Sequence, residues 1–102
     1  METQFFKKMF DLDKIINSSI DEINKQLPSD KKVDKKSNFE IFGPKSKFDS
    51  MALINFVLLI EDGLKKEKIE NKNLLNFLMD KTSSIKSYNI SDFKSDIKKL
   101  VN

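Results

Sequence analysis

The chain contains no cysteine and no histidine among its 102 residues. Their absence excludes disulfides, thiol nucleophiles and zinc sites of Cys/His type, as well as imidazole general bases and the serine triads that rely on one. Glycine and proline are nearly as scarce, with two of each, so neither a phosphate-cradling P-loop nor a dinucleotide fingerprint can be written. The same scarcity argues against a sheet protein full of tight turns, as does the lack of any long window in which β-branched and polar residues alternate. Long apolar runs are missing too. The longest, Met51 to Ile60, is broken by Asn55 and is far short of the roughly 20 residues that span a bilayer. The N-terminus, Met1 to Lys8, leads into an acid-containing amphipathic stretch and shows no signal peptide. The expectation is a cytoplasmic protein without membrane insertion.

Hydrophobic residues at 38% and charged residues at 34% describe a soluble globular chain, and the length suits a single domain over residues 1–102. An all-α fold is the default. Met9, Leu12, Ile16, Ile20, Ile23 and Leu27 recur at spacings of three or four, which predicts one helix over residues 9–27, stopped by Pro28. Phe5, Phe6 and Phe10 either extend that helix backward or form a hydrophobic plug, and the pattern does not choose. A second helix is predicted from Ser50 to Lys66. Met51, Ile54, Val57, Leu58, Ile60 and Leu64 face the core or its edge, and Leu53, Phe56 and Leu59 widen the apolar face. Residues 73–79 read as a short helix, a strand-like connector or both. A last helix follows Ser91 as its N-cap, with Asp92 in the first turn and Phe93, Ile97, Leu100 and Val101 at helical spacing.

Between the first two helices lies a long connection, Ser29 to Lys47, that carries Lys31, Lys32, Lys35, Lys36, Lys45 and Lys47 beside the apolar Phe39, Ile41 and Phe42. A loop of this length within a domain calls for a reason. Its apolar patch lets it lie across a helical bundle, and Gly43-Pro44 supplies a turn that delivers Asp49 to the next helix. Asp49-Ser50 then stands immediately before an apolar-rich helix. Most such pairs only cap a helix, but a hydroxyl in the first helical turn is also close to unpaired backbone N–H groups and the positive end of the macrodipole. A phosphate is favoured there by about 0.3–1 kcal/mol at an exposed site.

The wider pattern goes beyond a cap. Phe42-Gly43, Ser46, Phe48-Asp49-Ser50-Met51, Leu53-Ile54-Asn55 and Ile60-Glu61-Asp62 together resemble the attachment segment of acyl carrier proteins, in which an Asp-Ser-Leu-type triplet opens the second helix. The resemblance covers most of the chain in outline and is specific from about Phe42 to Leu64. It implies a four-helix bundle of three main helices and one short one, with a long loop between the first two main helices. It implies that Ser50 carries a 4′-phosphopantetheine arm, taken from coenzyme A by a phosphopantetheinyl transferase. The arm's thiol would hold acyl or related groups as thioesters and present them to acyl-activating or acyl-transferring enzymes. Carried over by position, Asp49, Met51, Ile54, Glu61 and Asp62 are the partner-contact residues. The carrier itself would be a monomer and not an enzyme.

Two departures from the family pattern stand out. Ala52 and Asn55 occupy places that are often acidic in carriers of fatty-acid synthesis. The net charge is +3, with a pI near 9.0, where such carriers are commonly acidic. Residues 30–47 hold six lysines against three acids and residues 71–102 again six against three, but residues 48–70 hold three against five. The second helix is therefore locally acidic within a basic chain. Ala52, Asn55 and the basic balance favour a specialised biosynthetic route over housekeeping fatty-acid synthesis. The rival reading is a small basic helical module for nucleic acid or an acidic protein partner, drawing on the loop and C-terminal lysines. Against it, the chain has no arginine-rich patch and no recognition motif, and many lysines are interspersed with acids. A third reading is a helical adaptor or inhibitor docking through Leu53, Phe56 and Leu59. No cluster pairs a nucleophile with a base.

Overall fold

Asp11 takes an extended backbone conformation and its carboxylate accepts the Lys14 N–H at 3.1 Å, which opens helix α1, Leu12–Gln26. The helix stops one residue before Leu27, whose backbone is pushed to the extended region by Pro28. In this computed structural model residues 11–69 and 73–101 are described. The chain continues through a single 3-10 turn at Ser29–Lys31, strand β1 at Glu40–Phe42, helix α2 at Ser50–Lys66, helix α3 at Leu74–Ser84, strand β2 at Tyr88–Asn89 and helix α4 at Ile90–Val101. The described residues are thus mostly helical, with four helices, as an all-α reading expects. Met9 and the three N-terminal phenylalanines lie outside the described residues.

Buried side chains from every helix form one cluster, including Ile16, Ile20 and Ile23 of α1, Phe56, Val57, Ile60 and Leu64 of α2, Leu74 and Leu78 of α3, and Phe93 and Ile97 of α4. Each fully buried side chain of this size contributes about 1.5–3 kcal/mol relative to leaving it in water. α1 and α2 run antiparallel: Gln26 at the end of α1 meets Asn55 near the start of α2 at 3.3 Å, and Ile15 meets Gly63 at the other end.

The structure corrects three sequence expectations and settles a fourth. The buried face of α2 is Ala52, Leu53, Phe56, Val57, Ile60 and Leu64, while Met51 and Leu58 are exposed at 65% and 45%. Residues 73–79 are helical throughout beyond Asn73, whose side chain caps α3 by accepting the Asn76 N–H at 3.3 Å. That helix has 11 residues against 12 in α4, so no one helix is distinctly the short one. The cap of α4 is Asn89, which accepts the Asp92 N–H at 2.9 Å, and Ser91 lies inside the helix with its N–H on Asn38.

A two-stranded antiparallel ribbon, β1 with β2, was not foreseen. It ties the long connection to the segment that joins α3 to α4. Ile41 of β1 is buried in the core. Tyr88 of β2 packs between Phe42 and Phe93, with ring centroids 5.6 and 5.8 Å away, and its hydroxyl donates to the Asp96 carboxylate. Lys81 completes this cluster, 3.9 Å from Asp96 and above the rings of Phe77 and Tyr88 at 5.5 and 5.6 Å.

Two predictions follow from these contacts. A methyl group on Gly63 would sit 2.7 Å from Ile15 Cγ2, so Gly63→Ala should lose about 1–3 kcal/mol to overpacking and recover only about 1 kcal/mol of helix propensity. Urea unfolding should register a net loss; a gain would show that Ile15 yields freely. Burial, then the hydrogen bond and charge of Asp96, raise the Tyr88 phenol well above its usual range. A raised phenol favours the neutral form in the folded state, so its contribution is full below a pH of about 10 and is lost as the pH rises further. Tyr88 is the sole tyrosine and there is no tryptophan, so phenolate absorbance reads it directly. Native protein should show no ionisation at the pH where free tyrosine is half-ionised, and Tyr88→Phe should remove that share of the alkaline stability loss. Ordinary tyrosine titration in folded protein would contradict the burial.

Candidate functional site

The approach to Ser50 is built by a tight chain of backbone contacts. Gly43 has φ 128°, and a Cβ there would meet Glu40 Oε1 and Ser87 Cβ, both at 2.7 Å, so only glycine allows the strand to turn against the α3–α4 connection. Glu40 Oε1 accepts the Lys45 N–H at 2.9 Å and the Gly43 carbonyl accepts the Ser46 N–H at 3.1 Å. Ser46 Oγ donates to the Ile41 carbonyl at 3.0 Å and accepts the Phe48 N–H at 3.1 Å. Phe48 then packs on Phe39 and Phe56, ring centroids 5.8 and 5.3 Å away.

Asp49 follows as the cap of α2. Its Oδ1 accepts the Ala52 N–H at 2.8 Å and its carbonyl accepts the Leu53 N–H at 2.9 Å. Because Asp49 makes the capping bond, the hydroxyl of Ser50, the first residue of the helix and exposed, is not committed to it. The N–H groups of Ser50 and Met51 belong to the first turn, which has no intrahelical acceptors. They and the positive end of the helix macrodipole favour an anion near this end, although Asp49 already places one negative charge there.

Beside Ser50 opens a groove of about 300 Å³, with Phe42, Phe48, Leu53, Ile54 and Met79 as apolar walls and Thr82 at its rim. It lies between the start of α2, the end of β1 and the second half of α3. Of the residues named from sequence, Asp49, Ser50 and Ile54 meet at this groove, and Met51 stands exposed next to them. Met51, Ile54, Leu58 and Asp62 fall at positions i, i+3, i+7 and i+11, one stripe along α2. Glu61 and Asp62 lie about 16–18 Å beyond Ser50 along the helix at 1.5 Å per residue. Asp62 is exposed and 3.3 Å from Lys66. Glu61 is half-buried and accepts the Leu75 N–H at 3.1 Å, which satisfies a free donor in the first turn of α3. Thr82 had no signal in the sequence, since a groove shared by residues 32 positions apart leaves no local pattern.

The surfaces that the competing readings require are altered by folding. Leu53 and Phe56 are buried and Leu59 is half-buried, so the face named for an adaptor is core. Several loop lysines bond within the chain: Lys32 Nζ donates to the Asn24 carbonyl, Lys35 to Asp21 at 3.0 Å and Lys47 to the Lys32 carbonyl at 3.2 Å. In the C-terminal half Lys94 pairs with Asp13 at 3.2 Å and Lys81 with Asp96. Ala52 is buried at 6% exposure, where a carboxylate would lack solvation. No described helix is long and apolar enough to cross a membrane.

Comparison with protein-family models, with curated proteins and with solved structures finds no match.

The role of Asp49 is open to direct measurement. Asp49→Ala should cost about 1 kcal/mol, the usual loss for a carboxylate cap, and amide exchange should quicken first at Ala52. Unchanged exchange at that amide would mean that the cap contributes nothing to the start of α2.

Proposed function

We propose that this protein is a carrier of the acyl carrier type, an acyl-carrier-like four-helix bundle in which Ser50 is the attachment point for 4′-phosphopantetheine. The observation that carries the reading is Ser50 itself, the exposed first residue of α2, released from capping by Asp49 and lining an apolar groove. The residue pattern from Phe42 to Leu64 supports the same reading.

In the attachment step Ser50 Oγ forms a bond to the pantetheine-side phosphorus of coenzyme A. The pyrophosphate P–O bond breaks, adenosine 3′,5′-bisphosphate leaves, and the hydroxyl proton passes to a base of the transferase. The free first-turn N–H groups of Ser50 and Met51 favour the phosphodiester. When bound, the arm supplies a thiol for thioester chemistry that the cysteine-free chain itself lacks. The residues present fit such a group: Phe42, Phe48, Leu53, Ile54 and Met79 offer apolar contact beside the attachment atom.

The partners are a phosphopantetheinyl transferase and acyl-activating or acyl-transferring enzymes that approach α2 over Asp49, Met51, Ile54 and the more distant Asp62. Glu61 contributes charge while holding α3. The protein acts as a monomer in the cytoplasm, in a specialised biosynthetic route. The structural engagement of the loop lysines weighs against a nucleic-acid-binding module.

Incubation with coenzyme A and a transferase of broad specificity, followed by intact-mass measurement, tests the assignment. The wild-type chain should gain the mass of one phosphopantetheine and Ser50→Ala none. A folded wild-type protein that stays unmodified, and that carries no arm when isolated from its native host, overturns the reading.

A further inference from the structure

The groove beside Ser50 has two aromatic walls on the loop side, Phe42 and Phe48, and a single atom joins the peptide units that carry them. Ser46 Oγ donates to the Ile41 carbonyl at 3.0 Å, and that carbonyl belongs to the peptide bond leading into Phe42. The same oxygen accepts the Phe48 N–H at 3.1 Å. Both bonds are partly buried, which makes them dearer to lose than exposed ones. β1 is in turn held by its pairing with β2, and Phe48 by its packing on Phe39 and Phe56. Ser46 is therefore the joint between the ribbon, which belongs to the α3–α4 side of the molecule, and the first turn of α2.

Resting on the carrier reading, we propose that Ser46 is a positioning residue for arm attachment: its hydroxyl holds the start of α2 at a fixed place relative to the ribbon and so presents Ser50 in one conformation to the transferase. With the hydroxyl removed, the Ile41 carbonyl and the Phe48 N–H lose their common partner. They turn toward water, and the segment Lys47-Phe48-Asp49 samples conformations in which the Asp49 cap is open. Only the capped fraction binds productively, so the apparent affinity falls by that fraction. Once bound, the enzyme holds the serine itself. The loss belongs in KM for the carrier, and kcat is retained.

The test is steady-state arm transfer from coenzyme A to wild type, Ser46→Ala and Ser46→Thr, at a temperature well below the unfolding midpoint of each. Wild type and Ser46→Thr, which keeps the hydroxyl, should share one KM. Ser46→Ala should show a raised KM with unchanged kcat, by up to about fivefold, the ceiling set by one ordinary hydrogen bond. A merely structural role would lower the unfolding midpoint and leave the KM of the folded protein where it was. An alanine variant with the wild-type KM, or a loss that threonine does not recover, overturns the role of Ser46 while the arm on wild type leaves the carrier reading standing. A wild type that takes no arm overturns both.

Discussion

The packing of Phe39 and Phe48 on Phe56 is the interaction on which the remaining structure depends. It converts the connection between α1 and α2, residues 27–49, from a free loop into a wall of the core. Loops of that length are uncommon within a domain because their backbone groups and their entropy must be compensated. Here the compensation comes from several points at once. Asn24 clamps Val33 through two hydrogen bonds of 2.9 Å, Val33 and Ile41 are buried, Lys35 reaches Asp21, and β1 pairs with β2. Each is modest alone. Together they deliver Asp49 at the place and angle from which it can cap α2 and leave the next hydroxyl outside.

Charge is organised on the same short scale. The chain's positive groups are all lysines, compact point charges without the planar fork that arginine uses for paired recognition of phosphate. Many of them bond to the chain that carries them: Lys32 and Lys47 to loop and helix carbonyls, Lys35, Lys66, Lys81 and Lys94 to carboxylates. At physiological salt an exposed charge is felt over about 8 Å. Near the start of α2 both signs are present along the chain, with Lys45 and Lys47 just before Asp49.

Much of the secondary structure was legible because its signals are local. Asp49 before an apolar run marked the start of α2, and Pro28 marked the end of α1 to within a residue. The face of α2 was not legible. Met51, Leu53, Ile54, Phe56, Val57, Leu58, Leu59 and Ile60 are apolar almost without interruption, and periodicity cannot select one side of a helix that is greasy on most of them. The choice of Phe56 over Leu58 for the interior was made by α1, packed antiparallel, and by the two loop phenylalanines. The site divides in the same way. Asp49, Ser50 and Ile54 were readable as neighbours in sequence, whereas Thr82 and Met79 come to them only through the packing of α3 on α2. Glu61 was readable as a surface acid, yet it is occupied by the Leu75 amide.

By itself the sequence determined the composition limits, the start of α2, the stop of α1 and a hydroxyl placed one residue after a capping carboxylate, because caps, proline stops and excluded residue types act through neighbours along the chain. Tertiary structure alone decided which face of α2 is buried, the pairing of β1 with β2 and the groove beside Ser50. Those depend on contacts between residues far apart in sequence, where burial and hydrogen-bond satisfaction are settled only when all the elements pack together.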